Sequence, residues 1–204
     1  MQFTQKRLDY ISKEELYIDM AKLVAKRSKD PNCQVGAVIV SSDDRILSVG
    51  YNGLPNGCSD DEFPWIKDAA SELDTKYPYV CHAELNAILN FKGDSRELKG
   101  STLYVTIYPC NECAKAIIQA GISKVVYIKN GQPDSVANIA STKLLEAAGV
   151  EIQKYEYAYN KTANVIDKIY ILQNSPKYRN LSSSENIEKD VRDWYSDIEN
   201  IINS

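Results

Sequence analysis

From residue 82 to residue 157 the sequence alternates between helical and extended patterns, and this alternation limits the possible folds more than any other feature. Helical patterns cover about 82–92, 110–120 and 136–148, and apolar runs of strand-like composition cover 102–107, 124–128 and 150–157. Strands that are joined by helices pair in parallel, and the helices pack on the faces of the sheet. The alternation therefore predicts an α/β domain with parallel strand pairing.

The N-terminal part of the chain adds an antiparallel element to this sheet. An apolar helical stripe over 12–29 begins with Ser12 and Glu15, which have the spacing of a capping box, and Pro31 is expected to end the helix. Two short apolar runs follow at 34–40 and 46–51, and the polar turn between them is typical of a β-hairpin. We expect a three-layer α-β-α fold with a central mixed five-stranded sheet.

Chain length and pattern also predict the domain organisation. The 204 residues suffice for one domain and a tail, which we place at 1–159 and 160–204. Within the tail, 185–203 carries an apolar helical stripe and predicts an amphipathic helix. The long irregular connection over 52–80 has a length that is usually associated with function.

Charge and cysteine content narrow the possible partners. The formal net charge of −4 argues against a polynucleotide-binding protein and favours a small-molecule ligand. The sequence contains no apolar run long enough for a membrane span and no secretory signal, so we expect a cytoplasmic protein, located in the cytosol or the nucleus. Five cysteines, an odd number, argue against a disulfide framework and favour reduced thiols that could bind a metal.

Two short motifs carry residues suited to metal chemistry. His82-Ala83-Glu84 opens one predicted helix, and Pro109-Cys110-Asn111-Glu112-Cys113 opens the next. The cysteine spacing puts both sulfurs on one helix face, near an N-terminus whose partial positive charge favours thiolates. Together with His82, the only histidine, they would give Zn²⁺ three ligands and leave a fourth position for water, which is typical of a catalytic site.

Glu84 would complete this set as a general base. It follows the His82 ligand too closely to bind the same metal comfortably, but it can reach a water molecule beside it and pass protons to a substrate. Either motif alone is a weak indication. A C-x-x-C pair belongs to a structural or redox site about as often as to a catalytic one, and a lone His-x-Glu pattern carries little information. Together they form the signature of zinc-dependent deaminases. We expect Cys33, Cys58 and Cys81 to pack as small buried side chains, with a second, structural zinc site as the alternative.

Four longer stretches resemble the deoxycytidylate deaminases of the eukaryotic and viral type. They are RSKDPNCQVGAVIV (27–40), GYNGLPNGCSDD (50–61), PWIKDAASELDTKYPYVCHAELNAIL (64–89) and YPCNECAKAIIQAGISKVVY (108–127), and the N-terminal Lys6-Arg7-x-Asp9-Tyr10 matches too. The resemblance covers about residues 5–157. It implies the cytidine deaminase fold and a zinc-dependent conversion of dCMP to dUMP and ammonia, supplying dUMP for dTTP synthesis. Deamination of dCTP, alone or alongside dCMP, is the alternative.

The resemblance also implies substrate contacts. Asn52 would bind the sugar 3′-hydroxyl, although it could instead be a turn residue, and the backbone N–H of Ala83 would hold the pyrimidine carbonyl. Arg27 and Asn32 lie where the family places contacts to the 5′-phosphate. For Arg27, and equally for Lys29, the alternative is that a cation at a helix C-terminus complements the helix dipole.

A second nucleotide site follows from the resemblance to the regulated members of the family. In that site dCTP with Mg²⁺ would activate, dTTP would inhibit, and a homo-hexamer would couple the sites. The implied residues are Lys6, Arg7, Tyr51, Gly53, Asn56 and Gly57. Glycines let backbone N–H groups approach phosphates closely, but they could also merely shape a tight turn.

Two other classes of function fit the motifs less well. A deaminase of tRNA or single-stranded DNA bases would be expected to show a basic, aromatic-rich tract, which this sequence lacks. A non-catalytic scaffold would have no reason to retain Glu84.

Overall fold

The computed structural model describes residues 10–156 together with 193, 196 and 197. Its helices are α1 (Lys13–Ala25), α2 (Ala83–Asn90), α3 (Asn111–Gln119) and α4 (Val136–Ala147), and its strands are β1 (Gly36–Val40), β2 (Ile46–Tyr51), β3 (Thr102–Ile107), β4 (Lys124–Lys129) and β5 (Glu151–Lys154). Short 3₁₀ helices cover Glu72–Asp74 and Ser95–Leu98. The predicted tail helix lies outside the described residues, except that 193, 196 and 197 are helical. The predicted domain boundary at residue 159 stays a prediction.

The five strands form one mixed sheet, in the order β2-β1-β3-β4-β5. Strand β1 is antiparallel to both β2 and β3, whereas β3, β4 and β5 run parallel to one another. The hairpin and the helix-connected strands therefore pair as the sequence pattern predicts, and the expected mixed five-stranded sheet is confirmed.

Alternating side chains of the sheet build two separate apolar layers. Ala37 and Ile39 of β1 pack in the cluster that includes residues of α2, α3 and α4. Val38 and Val40, which point to the opposite face, pack with residues of α1. Both faces are thus covered by helices, because strand residues alternate between faces, and this gives the predicted three-layer α-β-α arrangement.

Helix α1 begins as predicted but ends earlier. The side chain of Ser12 accepts a hydrogen bond from Glu15 N, and the Glu15 carboxylate accepts one from Ser12 N, which is a complete capping box. The helix ends at Ala25, not near residue 29, because the following backbone N–H groups bond to the third preceding carbonyl instead of the fourth. This tightened turn is a common way to finish a helix.

Helix α2, which carries part of the site described below, lies unusually close to the sheet. A Cβ atom added at Gly50 of β2 would overlap the backbone of Ala83 and Ala87 in α2. Only glycine at position 50 therefore permits this spacing. None of the helices in the described part of the chain has the length and apolar composition that crossing a bilayer requires.

Candidate active site

Two helix N-termini bring the sequence motifs together. His82 is the N-cap residue of α2 and Cys110 is the N-cap residue of α3, and neither side chain caps its own helix. The backbone of Cys81 exchanges two hydrogen bonds with Gly53, which ties the long 52–80 connection to the start of α2. The side chains of both N-cap residues are thus available for a ligand in the partial positive field of two helix ends.

The three predicted zinc ligands form a compact cluster. His82 Nδ1 lies 3.4 Å from Cys110 Sγ and 3.4 Å from Cys113 Sγ. Zn–S bonds of about 2.3 Å and Zn–N bonds of about 2.0 Å in a tetrahedron separate sulfur and nitrogen by about 3.5 Å. The observed distances therefore fit a tetrahedral zinc site, and no other cluster of at least three ligating side chains occurs within the described residues.

The protonation of the cysteines agrees with a cation-binding role. The hydrogen bond that Cys110 Sγ accepts from Cys113 lowers the pKa of the Cys110 thiol to about 3. The same bond, together with burial, raises the pKa of the donor, Cys113. The hydrogen bond to Cys110 raises the pKa of His82, while burial opposes that rise. The hydrogen bond thus favours the thiolate form of Cys110, and a bound divalent cation would favour it at both sulfurs, because a coordinating thiol is deprotonated.

Glu84 is the second residue of α2 and belongs to the same site. Its side chain is buried, with 4% of the residue exposed, and it interacts with both Cys113 and His82. Burial raises the pKa of this carboxyl, and the neighbouring His82 partly offsets that effect. A raised pKa makes this carboxyl a stronger base than an exposed glutamate, which suits a group that must both take up and release a proton.

A cavity of about 430 Å³ opens over this cluster. His82, Glu84 and Cys110 line it, and so do the predicted substrate residues Asn52 and Ala83. Its other walls come from the ends of β3 and β4, including Ile107, Tyr108, Lys129, Gly131 and Gln132. Residues at the carboxyl ends of parallel strands commonly border ligand sites in α/β folds. This rule predicts that residues following β4 line the site, which the motifs alone do not indicate.

One wall of the cavity contains a buried polar network that the sequence did not reveal. Lys76 forms an ion pair with Asp30, and the side chains of the two residues are 7% and 2% exposed. Asn52 Nδ2 donates to Asp30 Oδ2 at 3.3 Å and to the Cys33 carbonyl at 2.9 Å, and Asn52 Oδ1 accepts from Val35 N at 2.8 Å. Asn52 is therefore held rigidly at the cavity wall, and Asp30 and Lys76 border the same cavity.

Most of the predicted effector residues line a different cavity, of about 210 Å³. Tyr51, Gly53, Asn56 and Gly57 all border it, and Asn52 borders both cavities. Lys6 and Arg7 lie outside the described residues.

The predicted phosphate residues do not line the zinc-site cavity. Arg27 borders the smaller cavity, with its guanidinium 5.7 Å from the ring centre of Tyr51. Lys29 lines the same cavity and forms an ion pair with Asp60. Asn32 borders neither cavity and donates a hydrogen bond to the Trp65 carbonyl at 3.3 Å. Contact of Arg27 or Asn32 with a substrate phosphate stays a prediction.

The three remaining cysteines are free and half-buried. Cys33 borders the zinc-site cavity and Cys58 the smaller one. Within the described part of the chain they do not gather into a second metal cluster, so the alternative of a structural zinc site there has no support in the fold.

Fold and site together define a zinc-binding hydrolase of the deaminase class. Residues 11–129 match the family described as "Cytidine and deoxycytidylate deaminase zinc-binding region", and the chain belongs to this family. Human deoxycytidylate deaminase is 53% identical over 151 residues, which cover 74% of this chain and 84% of that protein. The mouse deoxycytidylate deaminase is 50% identical over 165 residues, covering 81% and 92%.

A solved structure shows the same fold. The dCMP deaminase of the cyanophage S-TIM5, crystallised in complex with dCMP and dUMP, is 32% identical and superimposes with a TM-score of 0.56. The match covers 70% of this chain and 96% of that chain.

Proposed function

We propose that this enzyme hydrolyses dCMP to dUMP and ammonia and so supplies dUMP for dTTP synthesis. The observation that carries the proposal is the buried Glu84 beside the His82, Cys110 and Cys113 cluster, inside a cavity large enough for a nucleotide. The relatives support the choice of substrate, because the mouse and human proteins are named deoxycytidylate deaminases and the cyanophage enzyme was crystallised with dCMP and dUMP.

The reaction needs one water molecule and two proton transfers. The water oxygen adds to C4 of the cytosine ring, the C4–N bond breaks, and the amino group leaves as ammonia. The Glu84 carboxylate takes a proton from the water and gives it to ring N3, and it then carries a second proton to the departing nitrogen. A positioned general acid–base contributes about 10²–10⁴-fold to such a rate.

His82, Cys110 and Cys113 would hold Zn²⁺ beside Glu84. When bound, the metal would supply Lewis acidity that lowers the pKa of water to about 7. Two thiolates partly neutralise that charge, so the proposed role of Glu84 as the base is essential. The field of the two helix N-termini stabilises the thiolates.

Ala83 and Asn52 would orient the nucleotide. Ala83 is the first residue of α2, and the N–H groups in the first turn of a helix have no partner within the helix. Ala83 lines the cavity, so its N–H would donate to the pyrimidine carbonyl, while Asn52, which also lines the cavity, would contact the sugar.

Ammonia release from a panel of substrates tests the proposal. The panel contains dCMP, dCTP, deoxycytidine and a single-stranded oligonucleotide, and we expect dCMP to have the highest kcat/KM. Equal or higher kcat/KM with dCTP would favour the bifunctional or dCTP-specific alternative, and turnover of the oligonucleotide alone would contradict the proposal.

We also propose that the smaller cavity binds a regulatory deoxynucleoside triphosphate with Mg²⁺, with dCTP activating and dTTP inhibiting. Its lining combines the Arg27 guanidinium group with the backbone of the 53–57 segment, and it also contains the Lys29–Asp60 ion pair. Guanidinium groups and closely approaching N–H groups both suit a phosphate chain. The regulated enzyme would be a cytoplasmic homo-hexamer, which sedimentation velocity with and without dCTP can test.

A further inference from the structure

The ion pair between Asp30 and Lys76 has no part in the proton transfers described above. Both side chains are almost completely buried, and both border the zinc-site cavity. A buried ammonium group is costly unless its charge is paired and its three N–H groups are hydrogen-bonded. The partners of each atom in this network therefore indicate what the network can still bind.

The Asp30 carboxylate is saturated. Its two oxygens offer about four lone-pair positions, and four donors occupy them. Asn32 N and Cys33 N donate to Oδ1 at 2.8 and 3.2 Å, and Asn52 Nδ2 and Lys76 Nζ donate to Oδ2. Asp30 consequently has no free acceptor for a ligand.

The side-chain amide of Asn52 retains one free hydrogen-bonding position. Both N–H bonds of its amide group are used, by the Cys33 carbonyl and by Asp30, and one lone pair of Oδ1 is used by Val35 N. Because Val35 N is a donor, the Asn52 side-chain atom that it contacts must be the oxygen. One lone pair of Asn52 Oδ1 is left, because an amide oxygen accepts two hydrogen bonds.

Lys76 retains two donors. Its ammonium group has three N–H bonds, and within the described residues its only hydrogen-bond partner is Asp30. The network thus presents to the cavity a charged N–H donor close to one carbonyl acceptor. A hydroxyl group, which accepts one hydrogen bond and donates another, satisfies both at once.

We propose that Lys76 is a specificity-determining residue that donates a hydrogen bond to the 3′-hydroxyl of the substrate, with Asp30 as its positioning residue. The inference rests on the proposed function, because a deoxycytidine monophosphate has only one free sugar hydroxyl, at the 3′ position. Asn52 Oδ1 accepts the hydroxyl proton. Asp30 anchors both Lys76 and Asn52, and so it fixes the distance between donor and acceptor.

The 5′-phosphate of the substrate fits this network less well than the 3′-hydroxyl does. Asp30 neutralises the Lys76 charge, and its carboxylate would repel a phosphate dianion held by the same ammonium group. Two other lysines of the cavity lining, Lys67 and Lys129, have no ion-pair partner within the described residues. They can bind the phosphate without a carboxylate paired to the same ammonium group.

The test compares dCMP with 2′,3′-dideoxy-CMP, which differs at the sugar only by lacking the 3′-hydroxyl. We expect the wild-type enzyme to prefer dCMP by about 10–150-fold in kcat/KM, the range for a hydrogen bond to a charged group. Lys76→Met should lower kcat/KM for dCMP by a similar factor, mostly through KM, and should leave kcat/KM for the dideoxy substrate within about threefold. Lys76→Arg, which keeps a charged donor, should restore part of the preference.

Lys22→Met is the matched control for the loss of a buried lysine. Lys22 Nζ lies 3.0 Å from Asp19 Oδ1, its side chain is 1% exposed, and it lines neither cavity. Removing the lysine of either pair takes an ion-pair partner from a buried carboxylate and lowers stability. Only the Lys76 variant should lose the preference for the 3′-hydroxyl.

Three results would overturn the inference. If the wild-type kcat/KM values for dCMP and the dideoxy substrate were about equal, the inference would fail even if no Lys76 variant could be purified. Equal losses on dCMP, the dideoxy substrate and deoxycytidine in Lys76→Met would make the pair purely structural. A loss that persists with the dideoxy substrate but disappears with deoxycytidine would assign Lys76 to the phosphate. A wild-type enzyme that is inactive on dCMP would instead contradict the proposed function.

Discussion

Glu84 and His82 are separated by one residue, yet their surroundings give them different chemistry. His82 precedes α2 and turns its Nδ1 atom toward two sulfurs, whereas Glu84 lies inside the first turn and is buried. A buried carboxyl in the cavity lining can exchange protons with a molecule that is bound there.

Replacing the carboxyl of Glu84 with an amide tests this role. Glu84→Gln keeps the shape of the side chain but cannot take up a proton, so we expect turnover to fall by about 10²–10⁴-fold or more. Zinc content and thermal stability should stay close to those of the wild type, since no metal ligand is removed. Near-normal turnover in a zinc-loaded variant would exclude Glu84 from the proton transfers.

Metal content tests the three ligands independently of activity. The wild-type protein should bind about one zinc ion per chain, and a Cys110→Ser/Cys113→Ser double variant should bind almost none. Serine is a good N-cap residue, so the start of α3 should survive the substitution. Cys58→Ser is the control, because Cys58 borders only the smaller cavity and should not affect zinc. Unchanged zinc in the double variant, measured by elemental analysis, would refute the assignment.

Sequence reasoning could find the metal cluster but not the polar network beside it. The ligands belong to short motifs whose spacing reflects the helices that carry them. Lys76 and Asp30 lie 46 residues apart, and Lys76 belongs to the irregular 52–80 connection, where no periodicity predicts which side chains meet. Arg27 illustrates the same limit. The family resemblance implied a phosphate contact for Arg27, and the structure places this residue at the smaller cavity, so its contact with a substrate phosphate stays a prediction.

At the scale of secondary structure, the predicted bounds agree with the structure within two residues except at the end of α1 and at the end of β5, which stops at Lys154 instead of residue 157. Capping residues and alternating apolar side chains mark a beginning or a face, as at Ser12 and in β1. The end of α1 depends on a backbone turn that most residue types can adopt. The short 3₁₀ helices at Glu72–Asp74 and Ser95–Leu98 were not predicted, because three or four residues are too few to show a period.

The contact between β2 and α2 makes a prediction about position 50. Gly50→Ala would place a Cβ atom inside the backbone of α2, and overpacking of this kind costs about 1–3 kcal/mol of stability. We expect a lower Tm and reduced turnover, because α2 carries Glu84 and begins at His82. Gly131→Ala is the control for stability, since its added Cβ would only contact the Lys129 side chain at 3.9 Å. Equal Tm values for Gly50→Ala and wild type would show that the two elements can separate without cost.

At the scale of the whole molecule, two cavities share one residue. Asn52 borders both, and its amide is fixed by Val35, Cys33 and Asp30. Gly53 directly follows Asn52, so a ligand that displaces the 53–57 segment of the smaller cavity would strain these hydrogen bonds and so affect the zinc-site cavity. Coupling between sites in proteins is typically about 1–3 kcal/mol, which corresponds to about 5–150-fold in affinity.

Kinetics with effectors test this coupling and separate the two roles considered for Arg27. With Mg²⁺ present, dCTP should lower and dTTP should raise the dCMP concentration at half-maximal rate, within about 5–150-fold. If Arg27 binds the effector, Arg27→Ala should abolish both shifts while kcat without effector changes little. If Arg27 binds the substrate phosphate instead, the same variant should raise KM for dCMP and keep both shifts.

Arg45→Ala is the control, because Arg45 pairs with Asp43 on the surface and lines neither cavity. Hyperbolic curves that neither nucleotide shifts, except by simple competition, would show that the two cavities are not coupled.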